Sequence, residues 1–259
     1  MKVACLILSV LLARAASAQG ILDDVGIDQK LNEPVPLDLV FRDEAGREVQ
    51  LGDYLGEKPI VLSLVYFKCP MLCTLVLNGL VRSLRATAFD AGREFNVLTV
   101  SFDPHDTPES AAEMKRVYMN EYRRPGAEEG WHFLTGDAGA IEKLTRAVGF
   151  RYKVDPESGQ FAHASGIMVL TPKGRIARYF YGLEYSARDL RLSLVESAEN
   201  RIGSPVDQVL LYCFHYDPEK GKYGLAIMRV LRVAGVATVL GLGLLIVSLV
   251  YRQKTRVVL

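Results

Sequence analysis

Cys69 and Cys73 stand four residues apart around Pro70-Met71-Leu72, directly after the apolar run Ile60 to Tyr66. A thioredoxin-type pair would hold two residues between its sulfurs; this one holds three. Such a pair can act as a disulfide staple, a dithiol redox couple or part of a metal grip. Proline suits the first position of a helix, where its missing N–H costs nothing. A helix beginning at Pro70 puts Cys69 at its N-terminal cap and Cys73 one turn on, with both sulfurs able to reach one side. The free N–H groups and dipole at that end favour thiolate at Cys69, which serves a nucleophile and a metal ligand equally well.

Two thiolates make an incomplete site for a soft metal, and imidazole beside thiolate suits copper or zinc. The chain has four histidines, His105, His132, His163 and His215. His105, in Asp103-Pro104-His105-Asp106, reads as a solvated loop residue, and His132, after Trp131, as a satisfied structural histidine in a strand. His163 lies just before a buried strand, where a loop can hang it over the sheet edge. Cys213 and His215 lie two apart, and in an extended segment such residues face the same way, which makes them a candidate second thiol–imidazole site. Their plainer reading is a buried cysteine among aromatics and a loop histidine. Met71 offers a thioether, but beside Leu72 it reads as packing.

The elements that must hold these groups follow from periodicity and capping signals. Leu37 to Phe41 and Glu48 to Leu51 flank Asp43-Glu44-Ala45-Gly46 as a hairpin. Ile60 to Tyr66 and Phe95 to Phe102 read as buried strands, and Thr74 to Ala88 as a helix between them. Thr107-Pro108-Glu109 starts a second helix. Trp131 to Leu134 is a strand, Asp137 caps a helix to Val148, and Phe150 to Val154 is extended. Ile167 to Leu170 and Ile176 to Tyr181 turn about Thr171 to Gly174, and Ser186 caps a last helix to about Asn200. Strands alternating with helices make an α/β domain with a central sheet.

Residues 1–18 read as a secretory signal, with Lys2, an apolar stretch and Ala16-Ser17-Ala18 as the cleavage site. Cys5 is lost with it, so the exported chain keeps Cys69, Cys73 and Cys213, too few for a disulfide framework. Residues 19–32 are a linker, 33–200 the domain and 201–229 a juxtamembrane segment. Residues 230–252 are a transmembrane helix around the uncharged run Val233 to Tyr251, and 253–259 a cytoplasmic tail. Signal and stop sequence together place the domain outside the cytoplasm, on the periplasmic side of the inner membrane. A net charge of +1 and the lack of a basic block exclude a nucleic-acid partner.

From about Glu33 to Asn200 the chain resembles the Sco/SenC family of copper-binding assembly factors for cytochrome c oxidase. The matching marks are Cys69-Pro70-x-x-Cys73 after a buried strand, Val100 to Pro104 with Asp106-Thr107, Phe133 to Gly136, and His163 followed by Pro172-Lys173-Gly174. The resemblance implies a thioredoxin-like, peroxiredoxin-related fold and copper held by Cys69, Cys73 and His163. It further implies delivery of Cu(I) to the dinuclear copper centre of cytochrome c oxidase subunit II, after loading by an upstream copper donor. The alternative is a thiol-disulfide oxidoreductase that keeps the recipient's cysteines reduced, with Cys69 and Cys73 as the redox pair; a peroxidase reading rests on the fold relationship alone. Many family members carry an acid between the cysteines and another just before the histidine, where this chain has Met71 and Ala162. Without those carboxylates the site is softer and less charged, favouring Cu(I) over Cu(II).

Overall fold

Strand β1 (Gly26–Ile27) is followed by β2 (Val40–Arg42), β3 (Glu48–Gln50), β4 (Ile60–Val65), helix α1 (Leu72–Arg85) and β5 (Asn96–Ser101). Then come α2 (Pro108–Tyr122), β6 (Trp131–Leu134), α3 (Ala138–Ala147), β7 (Phe150–Val154), β8 (Phe161–His163), β9 (Gly166–Leu170), β10 (Ile176–Tyr181) and α4 (Ala187–Ala198). The computed structural model describes residues 25–69, 71–156, 159–202, 216–217, 222–223, 235 and 238. The chain divides into two units, Met1–Gly203 and Ser204–Leu259. In the second, Tyr216–Asp217 pairs antiparallel with Lys222–Tyr223.

The central sheet has the order β10-β9-β4-β5-β6. β4, β5 and β6 are parallel, and β9 runs antiparallel to both β4 and β10. All six residues of β4 are buried, as a parallel strand covered on both faces requires. Its single polar residue, Ser63, is satisfied sideways: its Oγ lies 2.9 Å from Thr99 Oγ1, which accepts the Trp131 indole N–H at 2.9 Å. One polar thread thus fixes the register of three buried strands.

The helices start where the capping signals place them. The Thr107 hydroxyl accepts the Ser110 N–H, with Pro108 at the first helical position; Asp137 accepts from Ala140 at 2.7 Å, and Ser186 from Asp189 at 3.3 Å. α1 packs against α2 and α4, α2 against β6, and α4 against β9 and β10. Gly79 makes the α1 approach possible, since a Cβ there would stand 1.8 Å from the Leu183 carbonyl oxygen. Tyr118, Trp131 and Phe133 form a ring stack where α2 meets β6, with centroids 5.9 to 6.2 Å apart.

The hairpin closes about Asp43 to Gly46, between Arg42 and Arg47, with Asp43 Oδ1 accepting the Ala45 and Arg47 N–H groups at 2.9 and 2.8 Å. Two differences from the sequence reading bear on the site. α1 begins at Leu72, not at Pro70, which lies outside the described residues. His163 ends a strand where a loop was expected: β8 pairs with β7, and β7 with β1, in a separate three-stranded sheet. The expected transmembrane helix over 230–252 lies outside the described residues apart from 235 and 238. Among the described residues no helix is long and apolar enough to cross a membrane.

Candidate metal centre

β4 ends at Val65, and the chain turns through Tyr66 to Cys69, whose N–H bonds the Tyr66 carbonyl at 3.2 Å. Met71 is the residue before the first turn of α1, but its side chain makes no cap and is 67% exposed, not packed as its sequence neighbours suggested. Cys69 lies two residues further out, and its sulfur performs the cap's task by accepting the Cys73 N–H at 3.3 Å. The helix end therefore stabilises charge on Cys69 through a direct bond as well as through its dipole. Cys73 is buried, its sulfur accepting the Tyr66 N–H at 3.4 Å.

His163 is brought over the pair by register. It lies opposite Tyr152 across β7 and β8, and its ring is walled by Tyr66, Phe102 and Phe150, with centroids 5.1 to 6.1 Å away. Nδ1 lies 2.9 Å from the Ala164 carbonyl oxygen, so it carries the proton and donates it there. That fixes the tautomer and leaves the Nε2 lone pair facing Cys73 Sγ, 3.4 Å away.

The two sulfurs carry unequal charge. The hydrogen bond from the Cys73 thiol, opposed by burial and aided by the Cys73 and Met71 N–H groups, pulls Cys69 down to about 3. Burial, then the hydrogen bond its thiol gives Cys69, pushes Cys73 up. The Tyr66 phenol is also raised, by burial and by its bond to Cys69. The reduced pair is thus a half-buried thiolate beside a buried thiol.

Cys69, Cys73 and His163 offer donor atoms all within 4.8 Å of one another. A first-row ion bound at roughly 2.0 to 2.3 Å to nitrogen and sulfur sets its ligands roughly 3.5 to 4.5 Å apart, so a small closure would complete the site. Two soft sulfurs and one imidazole in an aromatic wall fit copper(I) or zinc, with a coordination position left open. Among the described residues no other His, Cys, Asp and Glu cluster has such an arrangement.

Neither His105 nor His132 joins this cluster. His105 is exposed, with Nδ1 2.8 Å from Asp103 Oδ1. His132 packs against Tyr54 with the rings tilted by 44° and centroids 4.6 Å apart, and places Nε2 3.0 Å from the Glu129 carbonyl. Cys213 and His215 lie outside the described residues. Sequence reasoning missed the aromatic wall and Asp106, whose carboxylate accepts the Phe67 N–H at 2.7 Å. The signal for Asp106 was present only as part of a family motif, because its partner lies 39 residues away.

The chain matches the SCO1/SenC family over residues 28–198. It is 24% identical over 179 residues to a SCO1 protein homolog of Bacillus subtilis (strain 168), an alignment covering 66% of this chain and 87% of the relative. A proposed electron transfer protein of Aquifex aeolicus VF5 superposes with a TM-score of 0.59 at 29% identity, over 66% of this chain and 96% of that one. Arabidopsis thaliana ScoI, solved with copper bound, superposes at a TM-score of 0.50 and 18% identity, over 66% and 99%. The last comparison supports the fold, which is the Sco-type thioredoxin-like fold.

Proposed function

The chain belongs to the SCO1/SenC family, and from that premise we propose that it is a copper metallochaperone that delivers Cu(I) to the dinuclear copper centre of cytochrome c oxidase subunit II. The observation that carries this reading is the convergence of two sulfurs and a tautomer-fixed imidazole nitrogen within 4.8 Å. Copper is the cargo, held by Cys69, Cys73 and His163. Three protein ligands leave a position through which a recipient thiolate can enter, and Cys69 is the sulfur open to it. Met71 and Ala162 add no charge at the site, which favours Cu(I).

In this reading an upstream donor loads the site outside the cytoplasm. Residues 1–18 are the export signal, 33–200 the copper domain and 230–252 a single membrane anchor leading to a cytoplasmic tail. Cys213 and His215 would form a second thiol–imidazole pair in the segment next to the membrane.

The unequal sulfurs favour a second reading, thiol-disulfide exchange with the recipient. The Cys69 thiolate attacks a recipient disulfide, one recipient sulfur leaves, and Cys73 then loses its proton and displaces the other. The recipient gains two thiols and this chain a disulfide. To separate the readings, the purified full-length reduced chain, with and without Cu(I), is incubated with oxidised and with reduced apo subunit II while thiols and copper are followed together. Copper transfer to the reduced recipient supports the chaperone. Thiol gain by the oxidised recipient without copper supports the reductase.

A further inference from the structure

We propose that Asp106 is a positioning residue for the cysteine pair: its Oδ2 holds the Tyr66 to Cys69 turn in the shape that aims the Cys69 sulfur at Cys73 and His163. The β4–β5 ladder ends with Ser101 opposite Val65 and the Phe102 N–H on the Val65 carbonyl at 2.8 Å. Beyond that point the Tyr66 N–H goes to the Cys73 sulfur at 3.4 Å and the Cys69 N–H to the Tyr66 carbonyl at 3.2 Å. Both bonds stay inside the motif. The Phe67 N–H leaves it, reaching Asp106 Oδ2 at 2.7 Å and tying the turn to the loop between β5 and α2.

Asp106 is itself held for this task. The Ser101 hydroxyl donates to the same Oδ2 at 2.6 Å while its Oγ accepts the Asp103 N–H at 3.1 Å, and the Asp106 N–H bonds the Asp103 carbonyl at 3.1 Å. The side chain is buried, and its other oxygen, Oδ1, has no hydrogen-bond partner. A carboxylate placed for its own solvation would share its bonds between both oxygens or face water. Both of its bonds converge instead on the oxygen that reaches Phe67. The two bonds require an acceptor at that point and not a charge, so an asparagine oxygen can replace Oδ2, whereas alanine cannot.

The copper part of this inference rests on the metallochaperone reading; the clamp itself does not. The test compares the full-length chain with D106A and D106N by three measurements. These are amide exchange at Phe67, the rate of Cys69 alkylation by iodoacetamide, and Cu(I) affinity by competition with a colorimetric chelator. In D106A, Phe67 exchange should quicken about tenfold or more, alkylation of Cys69 should change, and Cu(I) binding should weaken about 10- to 100-fold. D106N should stay within about threefold of the native chain in all three, since it keeps the acceptor. Phe67 exchange unaltered in D106A, or a D106N as impaired as D106A, overturns the proposal. Should D106A not fold, S101A is read instead, with faster exchange at Phe67 expected and unchanged exchange overturning the clamp. Failure of the native chain itself to bind Cu(I) would count against the copper reading and leave the two metal-free measurements to decide the clamp.

Discussion

Cys73 Sγ and His163 Nε2 lie 3.4 Å apart although 90 residues separate them in the chain. The contact depends on the pairing of β7 with β8, where His163 faces Tyr152. A slip of one residue in that pairing would turn the imidazole to the other side of the ribbon and put Ala162 or Ala164 in its place.

His163→Ala removes the nitrogen donor and keeps both sulfurs. Cu(I) affinity should fall by more than about tenfold, and the space left among Tyr66, Phe102 and Phe150 should cost about 2 kcal/mol in a urea melt. A copper carrier so altered should give low oxidase activity at limiting copper, eased by added copper. Near-normal activity at limiting copper would shift the reading to the oxidoreductase, because thiol exchange needs no third ligand.

The two thiols should differ sharply toward iodoacetamide. Cys69, drawn down to about 3 chiefly by the Cys73 thiol bond, should be alkylated at a nearly constant rate between roughly pH 5 and 8. Cys73, raised by burial, should react only on unfolding. Peptide mass spectrometry reads both, and equal labelling of the two would contradict the asymmetry. The linked stability has a definite sign. The depressed Cys69 value contributes fully above the ordinary thiol value of 9.0 and is lost progressively as pH falls toward 3. Raised Cys73 opposes it, lowering stability as pH climbs past 9.0. Stability from the pair should therefore rise from acid toward pH 9 and decline beyond it, and C69S should flatten the rising limb.

Glu44 should dominate a different part of the acid range. Burial pushes its carboxyl up, but His132, Lys115 and the Phe133 N–H together hold it at about 2. Its contribution is complete above the ordinary value of 4.5 and is lost as pH falls from 4.5 toward 2. Glu44→Gln should cost about 1 kcal/mol at pH 7 after allowance for solvent screening. It should also weaken the loss of stability below pH 4.5. Urea melts from pH 2 to 7 check both, while Cu(I) affinity should not move.

The elements that carried strong local signals were legible in the sequence. β4 and β5 showed as apolar runs, and Thr107, Asp137 and Ser186 marked helix starts because a side-chain oxygen on a nearby N–H is a local interaction. The pair Cys69 and Cys73 was visible for the same reason. β8 was not, since three residues with no alternation of their own become a strand only by pairing with β7. The bond from Phe67 to Asp106 is likewise tertiary. The start of α1 fell two residues late because Cys69 caps through its sulfur from outside the helix, a geometry the usual capping preferences do not describe.

Oxidation of the pair should remove copper binding altogether. A disulfide consumes both thiolate ligands, and cysteines one turn apart at a helix start can approach the Cα separation of about 5.5 Å that the bond prefers. Forming it would draw the Cys73 sulfur from the Tyr66 N–H and from His163 Nε2, each 3.4 Å away. The imidazole alone would then remain to hold the ion. The full-length chain, oxidised and freed of reductant, should lose Cu(I) in a chelator competition by more than about a hundredfold. Dithiol reductant should restore binding together with two titratable thiols. Tight Cu(I) binding by the oxidised chain would place the ligands elsewhere, and C213S and H215A would then be the variants to lose it.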